Sequence, residues 1–68
     1  MGKTQFIPNG SSHGIPVSSR AEILAILKEK AGTIVEIDIE PKNGELLVLA
    51  RMKGDASWIG VGKVDNMI

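Results

Sequence analysis

Apolar and polar residues alternate along residues 33–53, and the alternation is interrupted at Pro41-Lys42-Asn43-Gly44. Such alternation is typical of a strand with one buried face. Asn-Gly is the strongest short signal for a hairpin, because both residues tolerate the positive φ angles of a type I′ turn. The pattern therefore predicts a β-hairpin to which the rest of the domain is attached.

If Asn43-Gly44 forms the turn, Lys42 lies opposite Glu45, which sets the register of the hairpin. On one side of the ladder the predicted pairs are all apolar: Ile39 with Val48, Ile37 with Ala50, and Val35 with Met52. On the other side of the ladder, Glu36 is predicted to pair with Arg51, which has the opposite charge, and Ile34 is predicted to pair with Lys53. A four-residue loop would place Glu40 against Glu45, and this repulsion makes it the second choice.

A second tight turn is indicated at Lys53-Gly54-Asp55-Ala56, and a third strand is predicted over residues 56–64. With Gly54-Asp55 as the loop, the register continues with these pairs: Met52 with Ser57, Ala50 with Ile59, and Val48 with Val61. One face of this meander is then apolar: Val35, Ile37, Ile39, Leu46, Val48, Ala50, Met52, Ile59 and Val61.

A helix is predicted over residues 20–31. Ser19-Arg20-Ala21-Glu22 has the form of a capping box, in which each of Ser19 and Glu22 bonds the backbone N–H of the other. Gly32 stands where a left-handed residue commonly ends a helix. The helix has an apolar stripe that can cover the apolar face of the meander: Ile23, Leu24, Ile26, Leu27 and Ala31.

Residues 1–18 are predicted to be an N-terminal arm and loop, followed by a core over 19–64 and a tail over 65–68. Residues 3–7 form a possible strand, and residues 9–18 are a Gly- and Ser-rich loop whose Ile15 and Val17 lie against the domain. The predicted class is α+β, with one helix packed on a three-stranded antiparallel meander and a possible fourth, N-terminal strand.

The amino-acid composition of the chain argues against several classes of function. The 68 residues fit one domain, and the absence of cysteine excludes disulfides and Cys-based zinc sites. Eight basic and eight acidic residues give a net charge of zero, which argues against a general binder of nucleic acid or membrane surfaces. No signal peptide or membrane-spanning run is recognisable, so a cytoplasmic location is expected.

The second face of the meander holds the main candidate site. Arg51 is expected opposite Trp58, while Gly60 and Gly62 face two leucines, which leaves a shallow apolar trough. Trp and Arg are enriched in interface hot spots. The predicted binding or interface residues are Trp58, Arg51, Leu47, Leu49, Gly60 and Gly62.

Three occupants of the trough are possible. The N-terminal arm can fold over it through Phe6, Ile7, Ile15 and Val17, a second copy of the chain can cover it, or a distinct partner or ligand can bind there. The leading functional hypothesis is a small non-enzymatic interaction or regulatory module that self-associates through this face. Its partner is then a homo-oligomer subunit or another protein.

Two other functions are weighed. One is a nucleic-acid-binding domain with a local basic patch: Arg20, Arg51, Lys53 and Lys63. The other is an enzyme whose site is shared between subunits, for which no catalytic residue is assigned. Ser12 and His13 are adjacent without a nearby carboxylate, so His13 is interpreted as a solvated loop residue.

Gly60-Val61-Gly62-Lys63 lacks the spacing of a phosphate-binding loop. The acidic row Glu36, Asp38 and Glu40, with Glu45 across the turn, is interpreted as a solvated face that protects a sheet edge, and Pro41 also suits an edge strand. No metal or cofactor is expected.

Overall fold

The computed structural model describes residues 4–68 and contains one helix and five strands. The elements are β1 Thr4–Pro8, β2 Ile15–Val17, α1 Arg20–Lys30, β3 Ile34–Lys42, β4 Glu45–Met52 and β5 Trp58–Val64. All strands pair antiparallel in one sheet of order β2-β1-β5-β4-β3. The predicted α+β class and the meander after the helix are confirmed. The predicted strand 3–7 and arm 1–18 begin in residues outside those described.

The β3–β4 hairpin turns at Asn43-Gly44, as predicted. Asn43 has φ 52° and Gly44 has φ 80°, the positive values that a type I′ turn requires. The predicted register is confirmed for most of the ladder: Lys42 with Glu45, Ile39 with Val48, Ile37 with Ala50, and Glu36 with Arg51. The Asn-Gly signal and the apolar alternation therefore determined the same register.

A β-bulge at Val35 changes the register at the start of β3. Ile34 pairs with Met52, so the predicted Val35–Met52 and Ile34–Lys53 pairs are wrong. A bulge sets two residues of one strand against one residue of its partner. Because of this extra residue, Ile34 can face the core while Val35 faces the solvent. Ile34 is thereby buried at 2% exposure, while Val35 remains 38% exposed.

The β4–β5 ladder also follows the prediction at first and then departs from it. Its first pairs are Arg51 with Trp58, Ala50 with Ile59, and Leu49 with Gly60, as expected. A second bulge, at Val61, then places Gly62 opposite Val48 and Lys63 opposite Leu47, so the predicted Val48–Val61 pair is wrong. The predicted two-residue turn at Gly54-Asp55 is wrong, because the Asp55 N–H donates to the Met52 carbonyl at 3.1 Å and Lys53-Gly54 therefore forms the turn. The predicted Met52–Ser57 pair is not part of the ladder, because β5 begins at Trp58.

The helix begins as predicted at Arg20, but without the capping box. Ser19 is the N-cap residue, yet its side chain makes no capping hydrogen bond. The Glu22 carboxylate instead accepts the backbone N–H of Ser18 at 3.2 Å. The acidic side chain therefore satisfies a donor one residue earlier than the motif requires.

The end of α1 also differs from the prediction. Gly32 does not take the left-handed conformation, and the positive-φ glycines of residues 4–68 are Gly10, Gly44 and Gly54. The Ala31 N–H donates to the Leu27 carbonyl at 2.8 Å, and the Ile34 N–H donates to the Ala31 carbonyl at 3.1 Å. A tight turn into β3 thus ends the helix without a special backbone conformation.

The N-terminal segment widens the sheet. β1 lies between β2 and β5, and Phe6 pairs with Ile15 on one side and Val64 on the other. Phe6 and Val17 are fully buried in the core with α1 residue Ile23. The interpretation in which the N-terminal arm folds over the outer trough is therefore wrong for Phe6, Ile15 and Val17, which lie on the core side of the sheet. Ile7 is on the outer face, where it pairs with Lys63 within the same sheet. The prediction of a loop throughout 9–18 is wrong for Ile15–Val17, while the expected packing of Ile15 and Val17 on the domain is confirmed.

The core lies between α1 and one face of the sheet. Its buried apolar residues come from the helix and every strand: Phe6, Val17, Ile23, Leu27, Ile34, Ile39, Val48, Ala50 and Val64. Within residues 4–68, no helix or second sheet covers the opposite face. We call that opposite side the outer face.

Both edges of the sheet carry a proline. β2 and β3 are the edge strands, which confirms the edge position expected for Pro41. Because Lys42 and Glu45 flank a two-residue turn, residues 37, 39 and 41 direct their backbone outward from β3. Pro41 has no N–H, and the Ile39 N–H donates to the Asp38 carboxylate at 2.9 Å. This edge is therefore a poor template for another strand.

The β2 edge is blocked in a similar way. The Gln5 carbonyl accepts the N–H of Asp65 at 3.3 Å, so Gln5 directs its backbone groups toward the β5 side of β1. Pro16 lies opposite Gln5 in β2 and therefore directs its ring nitrogen outward. Since that nitrogen carries no hydrogen, the middle of this short edge offers no donor.

Candidate functional site

The outer face brings together five of the six predicted interface residues. We call this group the outer-face patch: Leu47, Leu49, Arg51, Trp58 and Gly60. Trp58 is 41% exposed, and the two leucines and Arg51 are half-buried. The patch lies on the central strands β4 and β5, which keep these side chains in a fixed register.

Gly62, the sixth predicted residue, lies on the other side of the sheet. It is buried opposite Val48, where an added Cβ would come within 2.5 Å of the Ile7 carbonyl oxygen and 2.8 Å of Phe6 Cε1. The missing side chain makes room for the Phe6 ring in the core. The predicted pairing of Gly62 with Leu47 is therefore wrong, and the cause is the bulge at Val61. The backbone of Gly62 still borders the outer concave region beside Leu47 and Lys63.

Arg51 is held in place by two contacts. Its Nε lies 2.8 Å from Glu36 Oε1 on β3, and its Nη1 donates to the Asp55 carbonyl at 3.0 Å. The guanidinium therefore joins the edge strand to the loop after β4. Its charge is balanced by Glu36, which leaves Arg51 as a fixed neighbour of Trp58 rather than a mobile cation.

Gly60 forms a low point in the patch. An added Cβ at Gly60 would meet no atom within 4 Å, so the space above this residue is open. Its carbonyl accepts the Asn9 side-chain amide at 2.9 Å, which links the loop after β1 to β5. The expected shallow depression beside Leu49 therefore has a glycine floor.

The outer face continues past the patch toward Lys63. A concave region of about 260 Å³ borders Leu47 and Lys63, with Glu45 and residues 7–11 as further walls. Lys63 Nζ lies 3.7 Å from Glu45 Oε2. The apolar centre thus lies between the acidic row of β3 and the Lys63–Glu45 pair.

The helix side has a groove that sequence reasoning missed. About 340 Å³ of space lies between the second half of α1 and the sheet, with these lining residues: Phe6, Pro8, Asn9, Ile26, Leu27, Lys30, Ala31, Ile34, Met52, Gly60 and Val61. Ile59, paired with buried Ala50, is 45% exposed. An eleven-residue helix spans only about 16 Å. The signal that could have found the groove is the long apolar face predicted for the meander.

Three of the four basic residues considered for nucleic-acid binding lie beside a carboxylate. Arg20 begins α1, and its Nη1 lies 3.8 Å from Asp38 Oδ1. Arg51 pairs with Glu36 and Lys63 with Glu45. Lys53 is exposed at the end of β4. Since three of the four cations have a carboxylate beside them, the local positive field is weak.

Among residues 4–68, the remaining candidate residues do not form a catalytic or metal-binding arrangement. His13 is exposed, and its backbone N–H and carbonyl bond the Ser11 hydroxyl at 3.2 Å. In the part of the chain from residue 4 onward, no three His, Asp or Glu side chains come close enough to hold a metal ion. The outer-face patch is therefore the best-defined candidate site.

None of the helices among residues 4–68 has the length and apolar character needed to cross a membrane. Comparison of the chain with protein-family models, curated proteins and solved structures gave no match.

Proposed function

We propose that this chain is a small non-enzymatic interaction module that self-associates through the outer-face patch. The observation that carries the proposal is a sheet face that no helix or second sheet of residues 4–68 covers, on which Trp58 is 41% exposed beside half-buried Leu47 and Leu49. Helix α1 and the N-terminal strands bury the other side of the sheet. A contiguous exposed apolar patch with a central Trp is typical of a protein interface.

The two sheet edges support association through the face. Pro16 and Pro41 remove outward N–H groups, and Asp38 occupies the N–H of Ile39. Adding a strand at either edge would therefore form an incomplete ladder. The formal net charge of zero also means that two copies do not repel one another at long range.

The available area points to a weak, reversible dimer. A standard interface buries about 800 Å² on each partner, which is a little under one fifth of the 4456 Å² that this chain exposes. The outer face of one small sheet supplies about that area or less. Association should therefore depend on concentration.

Replacing Trp58 with alanine should weaken self-association by about 2 kcal/mol, or about thirtyfold in the dissociation constant, because a central Trp is the usual hot spot. Sedimentation over a dilution series measures the constant, and Trp fluorescence follows the same equilibrium in the wild type. The fold should persist, since Trp58 is 41% exposed.

Ile59→Ala is the matched control. Ile59 is the next residue of β5, has a similar exposure of 45%, and lies on the helix side of the sheet. Its replacement should leave association unchanged. A wild-type chain that stays monomeric at every concentration, or equal effects of the two variants, would contradict the proposal.

Two predictions from the sequence stay open beside this one. Nucleic-acid binding through Arg20, Arg51, Lys53 and Lys63 has less support, because three of these residues are paired with carboxylates. Binding of oligonucleotides that weakens steeply with salt would favour it. The cytoplasmic location also stays a prediction.

A further inference from the structure

Two Asn-Gly dipeptides occur in the chain, and each lies in a tight turn. Asn43-Gly44 joins β3 to β4, and Asn9-Gly10 follows β1. In an Asn-Gly dipeptide the backbone nitrogen of the glycine can attack the side-chain amide, because glycine has no side chain to hinder the approach. All four residues are exposed. Any difference in reactivity between the two turns must therefore come from their hydrogen bonds and backbone conformation.

Hydrogen bonds hold Asn9 in place. Its side-chain amide donates to the Gly60 carbonyl at 2.9 Å, and its backbone N–H donates to the Val61 carbonyl at 3.0 Å. The side-chain hydrogen bonds found among residues 4–68 do not include one from Asn43. A side-chain amide must turn toward the next backbone nitrogen before it reacts. At Asn9 this movement first requires the loss of a hydrogen bond.

The backbone of the hairpin turn is close to the reactive conformation. Ring closure requires Cβ of the asparagine and the next nitrogen to be eclipsed about the Cα–C bond. For an L residue this means ψ of about −120°, the value at the first central position of a type II′ turn. Asn43 already has the positive φ of that position, 52°. Rotation of the peptide group between Asn43 and Gly44 converts type I′ into type II′, and both types close a two-residue hairpin.

The turn after β1 lacks this route. The Ser11 N–H donates to the Pro8 carbonyl at 3.1 Å, and Gly10 has φ 81° whereas φ of Asn9 is not positive. This is the pattern of a type II turn. Rotation of its central peptide group gives a type I turn, in which ψ of the first central residue is about −30°. Asn9 would therefore have to change φ as well before its ring could close.

We propose that Asn43 is a site of spontaneous deamidation and that the fold protects Asn9. The Gly44 nitrogen, deprotonated by hydroxide, attacks Cγ of Asn43 and forms a five-membered imide. The bond from Cγ to the amide nitrogen breaks, and that nitrogen takes a proton from water and leaves as ammonia, which regenerates hydroxide. Water then opens the imide at either carbonyl. Overall the chain consumes one water, loses one amide and gains one carboxylate.

The two products have different effects on the hairpin. Opening at Cγ gives aspartate, which keeps the backbone, and Asp-Gly also favours a type I′ turn. Opening at the backbone carbonyl gives isoaspartate, in which the chain runs through Cγ. The extra backbone atom between Lys42 and Glu45 prevents the two-residue turn from closing with this register. The isoaspartate form should therefore be the less stable one. This chemistry does not require self-association.

Peptide mapping of the full chain, aged at mildly alkaline pH, measures both reactions. Trypsin places Asn9 and Asn43 on separate peptides, residues 4–20 and 43–51. Mass spectrometry then follows the loss of amide from each peptide. In the folded chain Asn43 should react at least about tenfold faster than Asn9, a factor that one ordinary hydrogen bond can supply. In guanidinium chloride both dipeptides are released from the fold, and the two rates should become similar.

Asn43→Gly is the control variant. Gly-Gly also forms a type I′ turn, so the hairpin should persist while the slow gain of negative charge in isoelectric focusing is lost. Equal rates at the two asparagines of the folded chain, or a faster loss at Asn9, would overturn the assignment. A charge gain that continues at the wild-type rate in Asn43→Gly would overturn it as well.

Discussion

Phe6→Ala is expected to destabilise the fold by about 3–5 kcal/mol, the usual cost of removing a buried aromatic ring. Phe6 is fully buried and packs in the same core as Val17, Ile23 and Val64. A domain of this size rarely has more than about 3–5 kcal/mol of stability from its core. The variant should therefore be largely unfolded at 25 °C, as measured by urea denaturation followed by far-UV circular dichroism.

The other aromatic residue of the chain supplies the control. Trp58→Ala should cost much less stability, because its ring is 41% exposed on the outer face. The two aromatic residues thus have separate roles, Phe6 in folding and Trp58 in association. A Phe6→Ala variant within about 1 kcal/mol of the wild type would mean that β1 and the ring are not part of the core.

The hairpin could be predicted because its information is local. The turn residues Asn43-Gly44 and the alternation on both sides lie within about twenty residues, and they agree on the register. The Arg51–Trp58 pair was predicted from a turn at Gly54-Asp55, and the pair is present although the turn forms one residue earlier. The centre of the candidate site could therefore be predicted from the sequence.

The placement of the N-terminal strands could not be predicted from the sequence, because the contacts that determine it are not local. β1 pairs with β5 through contacts such as Phe6 with Val64, between residues far apart in the chain. The five residues of β1 carry little alternation, and β2 has only three residues around Pro16. Nothing local indicates which face of which strand such short segments join, so a position of Phe6 over the outer trough stayed open as one of three alternatives.

The two bulges explain the errors of register. Ile34-Val35 places two β-branched residues in succession, a break in the alternation that indicates an irregular position. At the second bulge, the extra residue Val61 turns Gly62 toward the core and Lys63 outward. An alternating pattern assigns every residue a side on the assumption that no residue is inserted. One insertion reverses the assignment of every later residue in the strand.

Gly62→Ala should be strongly destabilising, by about 3 kcal/mol, at the upper end of the usual range for overpacking. Its Cβ would lie 2.5 Å from the Ile7 carbonyl oxygen and 3.0 Å from Pro8 Cα, and both are backbone atoms of the adjacent strand. Relief would require β1 to move away from β5. Chemical denaturation measures the loss, and the amide signals of β1 should change most in the NMR spectrum.

Gly60→Ala is the matched substitution in the same strand. A Cβ at Gly60 would meet nothing within 4 Å, and its φ is not positive. Alanine there should leave the free energy of unfolding unchanged or raise it by about 0.5–1 kcal/mol, because it lowers the entropy of the unfolded chain. Opposite signs for two glycines of β5 would establish that the bulge at Val61 separates them. Equal effects would restore the regular register, in which both glycines face outward and Gly62 belongs to the trough.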